Sequence, residues 1–493
     1  MLIKAGCTLW GLLWSVAVFG QWTTEMLSQP RWDVAIGIVH EKALIAGGST
    51  TSGGSVIASN RVDIFNFANG TKTTAQLSEA RANALPFTLG SKVFFCGGTR
   101  PGFSPSNRVD VYDDATNIWR TAQLAQSRTP MAGIAWEGRI LLAGGRSAGG
   151  VYSNLVDIYN LATDSWSTAT LSRPRVVGAV AAVSNQILFA GGHINSEVYP
   201  TVDIYNTQTG QWSSANLFEP RSNISVAVVG NKVLFVGGDF AGAIPNTVTN
   251  TIDIYDATTN SWGVRQLSRR RAGMVTAVVG NLALFAGGFG FENGVPVLYD
   301  DVDIYNATTD TWSVARLSAP RLLLQALVLG NRVFFVGDAF LLEQNVPTQL
   351  VEVYDATNNT WSTEALSTGR FWARGGTLNA NKLFVAGGLS ATGNASPVVD
   401  ILMDNTVATK PSRLPNKILH LYPNPVREQL HLQWHIAPTP VALHIYDSAG
   451  QLHYASNYPQ LPAVLPVGDL PKGLYQLQVR SALGTTIHSF IKH

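Results

Sequence analysis

The sequence predicts an all-β chain, an eight-bladed β-propeller followed by a small antiparallel β-sandwich, and three observations lead there. Adjacent glycines recur at Gly47/Gly48, Gly97/Gly98, Gly144/Gly145, Gly191/Gly192, Gly237/Gly238, Gly287/Gly288 and Gly387/Gly388, with Gly337-Asp338 as a degenerate eighth copy. Their spacing is 46 to 50 residues, a period that belongs to solenoids, propellers and arrays. Each period holds four short β-rich runs and almost no helical periodicity, which selects the propeller.

One unit, residues 252–288, shows the parts. Ile252–Asp256 reads as a strand, Ala257–Asn260 as a turn, and Ser261–Leu267 as a second strand beginning around Trp262. After Arg271 come two apolar runs, Gly273–Val279 and Leu282–Ala286, separated by Gly280-Asn281. A two-residue Gly-X link between β-rich runs is a hairpin signal, because Gly adopts positive φ without steric cost.

The pattern resembles the kelch motif, in which a Gly-Gly pair is followed by an aromatic residue and then by a Trp. The aromatic position holds Phe65, Tyr112, Tyr159, Tyr205, Tyr255, Tyr305 and Tyr354, with Leu402 in the last copy. The Trp position holds Trp119, Trp166, Trp212, Trp262, Trp312 and Trp361, with Lys72 departing from the pattern. The resemblance covers about 380 residues. It implies a kelch-type propeller and leaves function open, because one fold hosts unrelated activities.

In chain order, residues 1–20 read as a secretory signal peptide. Lys4 supplies the charge, Thr8–Phe19 the apolar run, and Val18-Phe19-Gly20 a cleavage site before Gln21. The run is short for a bilayer, and no other membrane span is expected. Residues 21–31 match the end of a repeat, as a comparison with WSTATLSRPR at 166–175 shows. Val398–Asp404 supplies a third strand with no Trp strand after it. Residues 22–27 are therefore expected to complete the blade begun after Arg370, giving eight blades within residues 21–404 and removing a free sheet edge. The turn between the two apolar runs and the link from the Tyr strand to the Trp strand are constant, whereas the segments after Gly-Gly (49–61, 99–108, 146–155, 239–251 and 289–301) vary. Variable loops on a constant frame are where individual function tends to lie.

Residues 405–418 carry no repeat signature and read as a linker. Beyond it, Leu430–Ile436, Val441–Tyr446 and Leu474–Val479 alternate apolar and polar residues. That period marks half-buried antiparallel strands and a small sandwich over 419–493. This tail resembles the type A C-terminal sorting domain of the type IX secretion system. The resemblance rests on Leu421-Tyr422-Pro423-Asn424-Pro425, Ile445-Tyr446-Asp447-Ser448-Ala449-Gly450, Leu470-Pro471-Lys472-Gly473-Leu474-Tyr475 and Phe490-Ile491-Lys492-His493. It implies export across the outer membrane of a Gram-negative bacterium, with the secretion machinery and its sortase-like protease as partners.

Composition excludes some classes. Charged residues make up 13% of the chain and the net charge is +2, without the Lys/Arg cluster that a nucleic-acid groove needs. There are two cysteines, Cys7 in the leader and Cys96, so the mature chain has no internal disulfide.

Every unit carries an Arg, namely Arg31, Arg81, Arg128, Arg175, Arg221, Arg271, Arg321 and Arg370. Every unit also carries an acid, namely Asp63, Asp110, Asp157, Asp203, Asp253, Asp303, Glu352 and Asp400. They read as frame rather than ligand site, since repetition in every blade is what a frame needs and buried charges need partners. Copper-radical oxidases resemble this propeller, but they use a Tyr cross-linked to Cys and a pair of His. Cys96 replaces Ala or Val of sister repeats, and His40 and His193 fall at unlike positions. No metal and no cofactor are expected. Glu292, Asp300 and Asp301 share one variable loop and keep a paired-carboxylate hydrolase in view.

What remains is a binding face made of residues after Gly-Gly and after the repeated Arg. They are Trp32, Asn83, Arg100, Arg146, His193, Asn223, Asp239, Phe240, Phe289, Phe291 and Trp372. Aromatic rings beside Arg and Asn suit glycan or protein recognition. The expected function is a secreted or cell-surface, monomeric, non-catalytic binding or adhesion module. The alternative is an extracellular carbohydrate-active enzyme, hydrolase or galactose-oxidase-like, using the same face.

Overall fold

The computed structural model describes residues 21–52, 54–240, 247–338, 347–378, 381–404, 419–434, 441–447, 451–458, 462, 464–481 and 484–493. The signal-peptide reading of 1–20 and the linker reading of 405–418 lie outside them. The chain divides into two compact units, Met1–Asn405 and Thr406–His493. Among the described residues no helix is long and apolar enough to cross a membrane.

The first unit contains eight four-stranded antiparallel sheets among its described residues. We number them as blades 1 to 8 from Ala35 and letter their strands a to d outward from the centre. The a strands are 35–39, 85–89, 132–136, 179–183, 225–229, 275–279, 323–329 and 374–378. Neighbouring a strands touch in that order, and 374–378 touches 35–39 again, so the sheets close a ring.

The b strands sit between two neighbouring blades, so both of their faces are covered and they read as unbroken apolar runs. Val233, Leu234, Phe235 and Val236 are all fully buried. The core is accordingly a series of layers between blades. One layer joins Leu188, Val202 and Ile204 of blade 4 to Val233, Phe235 and Tyr255 of blade 5. The kelch Trp closes such a layer: Trp262 lies 5.0 Å from Tyr255 and 6.0 Å from Phe235, ring centre to ring centre.

The Gly-Gly pair ends the b strand in seven of the eight blades because nothing larger fits. Gly47 and Gly48 have φ of 60° and 95°. A Cβ on Gly47 would lie 2.4 Å from the Arg81 carbonyl oxygen, and one on Gly48 2.5 Å from that of Trp32.

Blade 8 is completed from the other end of the unit. Gln21–Met26 pairs antiparallel with Val398–Met403, Trp22 opposite Leu402 and Thr24 opposite Asp400. Trp22 donates from Nε1 to Glu364 of blade 7 at 2.6 Å, and Leu27 N–H bonds to the Pro397 carbonyl at 2.7 Å. Removing residues 21–27 would bare strand Val398–Met403, whose Val399, Ile401 and Leu402 are buried, and an apolar edge invites pairing with other chains. The truncated protein should elute as soluble aggregate in size-exclusion chromatography with light scattering. A monomer that melts like the parent would contradict this role for the strand.

The second unit is a sandwich of two sheets. One holds strands 419–422, 429–434 and 464–466, and the other, 452–458, 441–447, 473–481 and 484–492. Val441, Leu443 and Ile445 are buried while Ala442, His444 and Tyr446 are half-buried, the alternation of a sheet with one face inward. Leu430, Leu432, Leu465, Leu477, Val479 and Phe490 fill the core.

Candidate functional site

The repeated charges come first, because their geometry decides which groups are left for a ligand. Each Arg lies on the link between one blade and the next, and its side chain points into the following blade. Arg175 donates to the carbonyls of Gly191 at 2.8 Å and Phe189 at 3.0 Å, and pairs with Asp203 at 2.8 Å. The same pairing joins Arg81 to Asp110 at 2.6 Å, Arg128 to Asp157 at 2.7 Å, Arg221 to Asp253 at 2.6 Å and Arg271 to Asp303 at 2.5 Å. Arg31 pairs with Asp63 and Arg370 with Asp400.

The acid also accepts a backbone N–H from the preceding link in all eight blades. The donors are Ser28, Ser78, Ala125, Ser172, Phe218, Ser268, Ser318 and Ser367. In blade 7 Glu352 takes this place, and Arg321 donates to the Leu350 carbonyl at 3.1 Å. Burial pulls the pKa of Arg31, Arg128, Arg175, Arg271 and Arg370 below its ordinary value, against the pull of the paired acid. The Arg and acid pair thus fastens blade to blade with desolvated, paired charges.

Two cavities open on the a strands. The first, about 670 Å³, is lined by Asn83, Thr99, Thr129, Pro130, Met131 and Arg374, among others. The second, about 760 Å³, is lined by Asn223, Ser225, Met274, Thr276, Phe289 and Leu322, among others. Gln325 borders both. Its amide accepts from Gly375 N–H at 2.8 Å and donates to the Gly375 carbonyl at 2.7 Å, tying blade 7 to blade 8.

The predicted face divides between these places. Asn83 lines the first cavity. Asn223 and Phe289 line the second. Asn223 donates to Asp239 at 2.6 Å, and His193 Nδ1 lies 3.0 Å from the Ser222 hydroxyl. Burial lowers the His193 pKa, opposed by the negative charge of Asp239. These contacts gather His193, Asn223 and Asp239 at the junction of blades 4 and 5. Arg146 lies over the Tyr152 ring at 5.7 Å, and Tyr152 meets His193 edge-on at 6.5 Å. Phe240 is half-buried beside them in sequence.

Phe291 stands apart. It lines a smaller cavity of about 320 Å³ with Arg269, Arg270 and Tyr299, while its ring meets Phe289 edge-on at 6.1 Å. Arg100 is held by its own loop, at the Pro105 carbonyl (3.0 Å), and by Glu79 on the link between blades 1 and 2 (3.5 Å). Trp32 departs from the expectation of an exposed ring. It is 6% exposed and its backbone bridges Ser49, so its ring packs instead of facing a ligand.

The second residue after the repeated Arg has a backbone reason for its identity. Asp33, Asn83, Asn223, Gly273 and Trp372 have φ of 52°, 53°, 48°, 65° and 51°. Gly, Asn and Asp tolerate that left-handed conformation, whereas a bulky Trp adopts it rarely. Trp372 is the residue there that the backbone does not explain.

The fourth residue after the repeated Arg was not singled out by the sequence. The a–b register places Ala35, Leu85, Ala132, Ala179, Ser225, Val275, Gln325 and Arg374 at one level, each opposite the residue before the glycine pair. Arg374 is the one charge in that ring. Among the described residues its side chain makes no hydrogen bond or ion pair. Burial lowers its pKa, opposed by the charge of Asp33. Burial likewise raises the pKa of the Asp33 carboxyl, against the pull of Arg374 and a hydrogen bond from Asn83. The signal was present in the sequence as a charge where the sister repeats have a neutral residue.

The groups that kept hydrolase chemistry in view are ion-paired. Asp301 meets Arg269 at 3.0 Å, Asp300 meets Arg316 at 3.1 Å, and Glu292 meets Arg269 at 3.6 Å. Among the described residues no group of three or more His, Cys, Asp and Glu side chains converges. Cys96 is fully buried, and burial pushes its thiol pKa far up.

In the tail the sorting-motif residues meet around the strand 484–492. Asn424 accepts Ile491 N–H on Oδ1 at 2.9 Å and donates to the Ser489 carbonyl at 3.3 Å. Val426 N–H bonds to the Ile491 carbonyl at 2.7 Å, and His493 N–H to that of Val426 at 2.9 Å. Pro423 and Pro425 flank Asn424 on the exposed turn, and Tyr422 stacks on His431 at 5.2 Å. Gly473 opens a strand in which Tyr475 is buried against Phe490 at 5.6 Å. Lys492 is buried, with Nζ 3.1 Å from the His493 carbonyl. Gly450 lies outside the described residues.

Comparison with known proteins agrees with both units. Residues 33–238 match the KLHDC2/KLHL20/DRC7 Kelch-repeats domain, residues 220–262 the Kelch motif, and residues 420–493 the Secretion system C-terminal sorting domain. No curated protein matches. A solved structure described as that of YjhT is 13% identical, with a TM-score of 0.40, covering 59% of this chain and 99% of its own. The chain carries kelch repeats, folded as four-stranded sheets, together with a secretion-system C-terminal sorting domain.

Proposed function

We propose that the protein is a propeller exported by the type IX secretion system that works outside the cell, or on its surface, as a monomeric, non-catalytic binding module for a glycan or protein. In this reading residues 1–20 are a removed signal peptide, residues 21–404 the working domain and residues 419–493 the address. The observation that carries it is a contrast between two sets of polar groups. The repeated Arg and acid side chains pair with one another inside the frame. Asn223 and Phe289, on links and loops that differ from blade to blade, line a cavity of about 760 Å³, with Asp239 bonded to Asn223 and His193 to the adjacent Ser222, and that volume is within the usual size of small-ligand sites.

The test is a glycan and protein array probed with the full chain and with Asn223→Gly/Phe289→Ala. Glycine keeps the positive φ at 223 without strain, so the melting temperature should hold while the array signal falls about tenfold or more, as for loss of a central contact. An unchanged array signal would sink the assignment of this face. Release of a shortened glycan, seen by mass spectrometry, would sink the non-catalytic part.

A further inference from the structure

We propose that the 670 Å³ cavity beside Arg374 binds the carboxylate of a small organic acid, held by the Arg374 guanidinium with the Asn83 amide and the Thr99 and Thr129 hydroxyls around it. The inference goes beyond the reading above, because this cavity is separate from the one of about 760 Å³ and shares only Gln325 with it.

Three observations lead to it. The first is that the guanidinium offers five N–H donors in a planar fork. None of them is engaged by the described residues. The repeated Arg side chains, by contrast, are held by carbonyls and an acid, as at Arg175. A fork left without acceptors, and partly desolvated, is matched best by a bidentate carboxylate.

The second is position. The residues level with Arg374 in the other seven blades are neutral, so the frame does not require a charge there. Gly375 beside it leaves its strand without a side chain, and the Gln325 amide fastens that strand instead. The structural work of the strand is therefore done by groups other than Arg374.

The third is Trp372, on the same link two residues earlier. It is held at φ of 51°, a conformation that costs a bulky residue energy and persists mainly where function retains it. Its ring is half-buried, 6.5 Å from Phe371. Asp33, the nearby acid, is already hydrogen-bonded by Asn83 and makes no ion pair with Arg374 within 4.0 Å. It shapes the charge of the site without occupying the fork.

Isothermal titration of the full chain with D-glucuronate and with succinate tests the inference, with D-glucose and succinamide as neutral controls. The acids should bind and the neutral compounds should not. Preference for glucuronate or succinate identifies the source as a sugar acid or a simple organic acid. Arg374→Gln should weaken the acids about tenfold or more, the loss expected for a charge-assisted contact, and Arg374→Lys should fall between. Both variants should keep the parent melting temperature, because no bond within the described residues is lost. Equal binding of acid and neutral compound, acid binding unmoved by Arg374→Gln, or binding by none of the four probes would each overturn the inference. Competition separates it from the broader reading: acids that bind through Arg374 without displacing an array partner support a carboxylate site distinct from that partner's surface.

Discussion

Arg175→Ala is expected to destabilise the propeller by about 3–5 kcal/mol, the usual cost of breaking one side of a buried pair. The size follows from what is left behind. Asp203 is 4% exposed, and without Arg175 its charge keeps only the Ser172 N–H at 3.0 Å. The carbonyls of Gly191 and Phe189 lose donors in the same step. The expected readout is a lower melting temperature with array binding unchanged in the fraction that remains folded. The double variant Arg175→Leu/Asp203→Leu should lose less than the sum of its two single variants, because neither charge is then stranded. An Arg175→Ala protein that melts like the parent and loses its ligand would show the residue to be part of a site.

Much of the frame is legible in the sequence, since each blade repeats the same physical problem. A b strand covered on both faces must be apolar throughout, so Leu282–Ala286 reads as it folds. A turn between a and b needs positive φ, so Gly280 and Gly330, at 56° and 59°, sit there. An Arg and an acid found in every copy announce a partnership inside the frame, and the distances bear that out. The Asn293-Gly294 pair, with φ of 52° and 80°, turns a ribbon between Phe289–Glu292 and Val295–Leu298. That signal was available in a loop treated only as variable.

The candidate site is less legible, for a physical reason. Trp32 and Trp372 are both aromatic residues just after the repeated Arg, and the sequence does not distinguish them. The chain does: Trp32 bridges Ser49 and is buried, whereas Trp372 sits one position further on, in a strained turn. Arg374 looks like an ordinary polar residue opening a strand. It gains meaning only when the register sets it level with seven residues that are far away in sequence, and when its fork is found without a partner among the described residues. Repeats reveal what is the same in every blade, whereas a ligand site lies in what differs, and a difference is informative only once its place in the ring is known.

Deleting residues 420–493 is expected to abolish appearance of the protein in the medium of a host with the type IX machinery, leaving a folded propeller in the periplasm. The tail has its own core, with Leu443, Ile445, Leu477 and Phe490 each fully buried, so it is equipped to act as a separate address. Fused with residues 405–418 to an unrelated periplasmic passenger, it should carry that passenger out. The structure adds a finer expectation. The Tyr422–Pro425 segment and strand 484–492 are far apart in sequence, yet Asn424 holds that strand by two hydrogen bonds, with Val426 adding a third. Asn424→Ala should therefore loosen the last strand, at about 0.5–1.5 kcal/mol for each exposed hydrogen bond lost. It should lower secretion without touching the propeller. Cell fractionation and mass spectrometry of the medium decide both points. A tail-deleted chain that still reaches the medium would overturn the address, and a surface-bound chain retaining His493 would show that the tail is kept instead of cleaved.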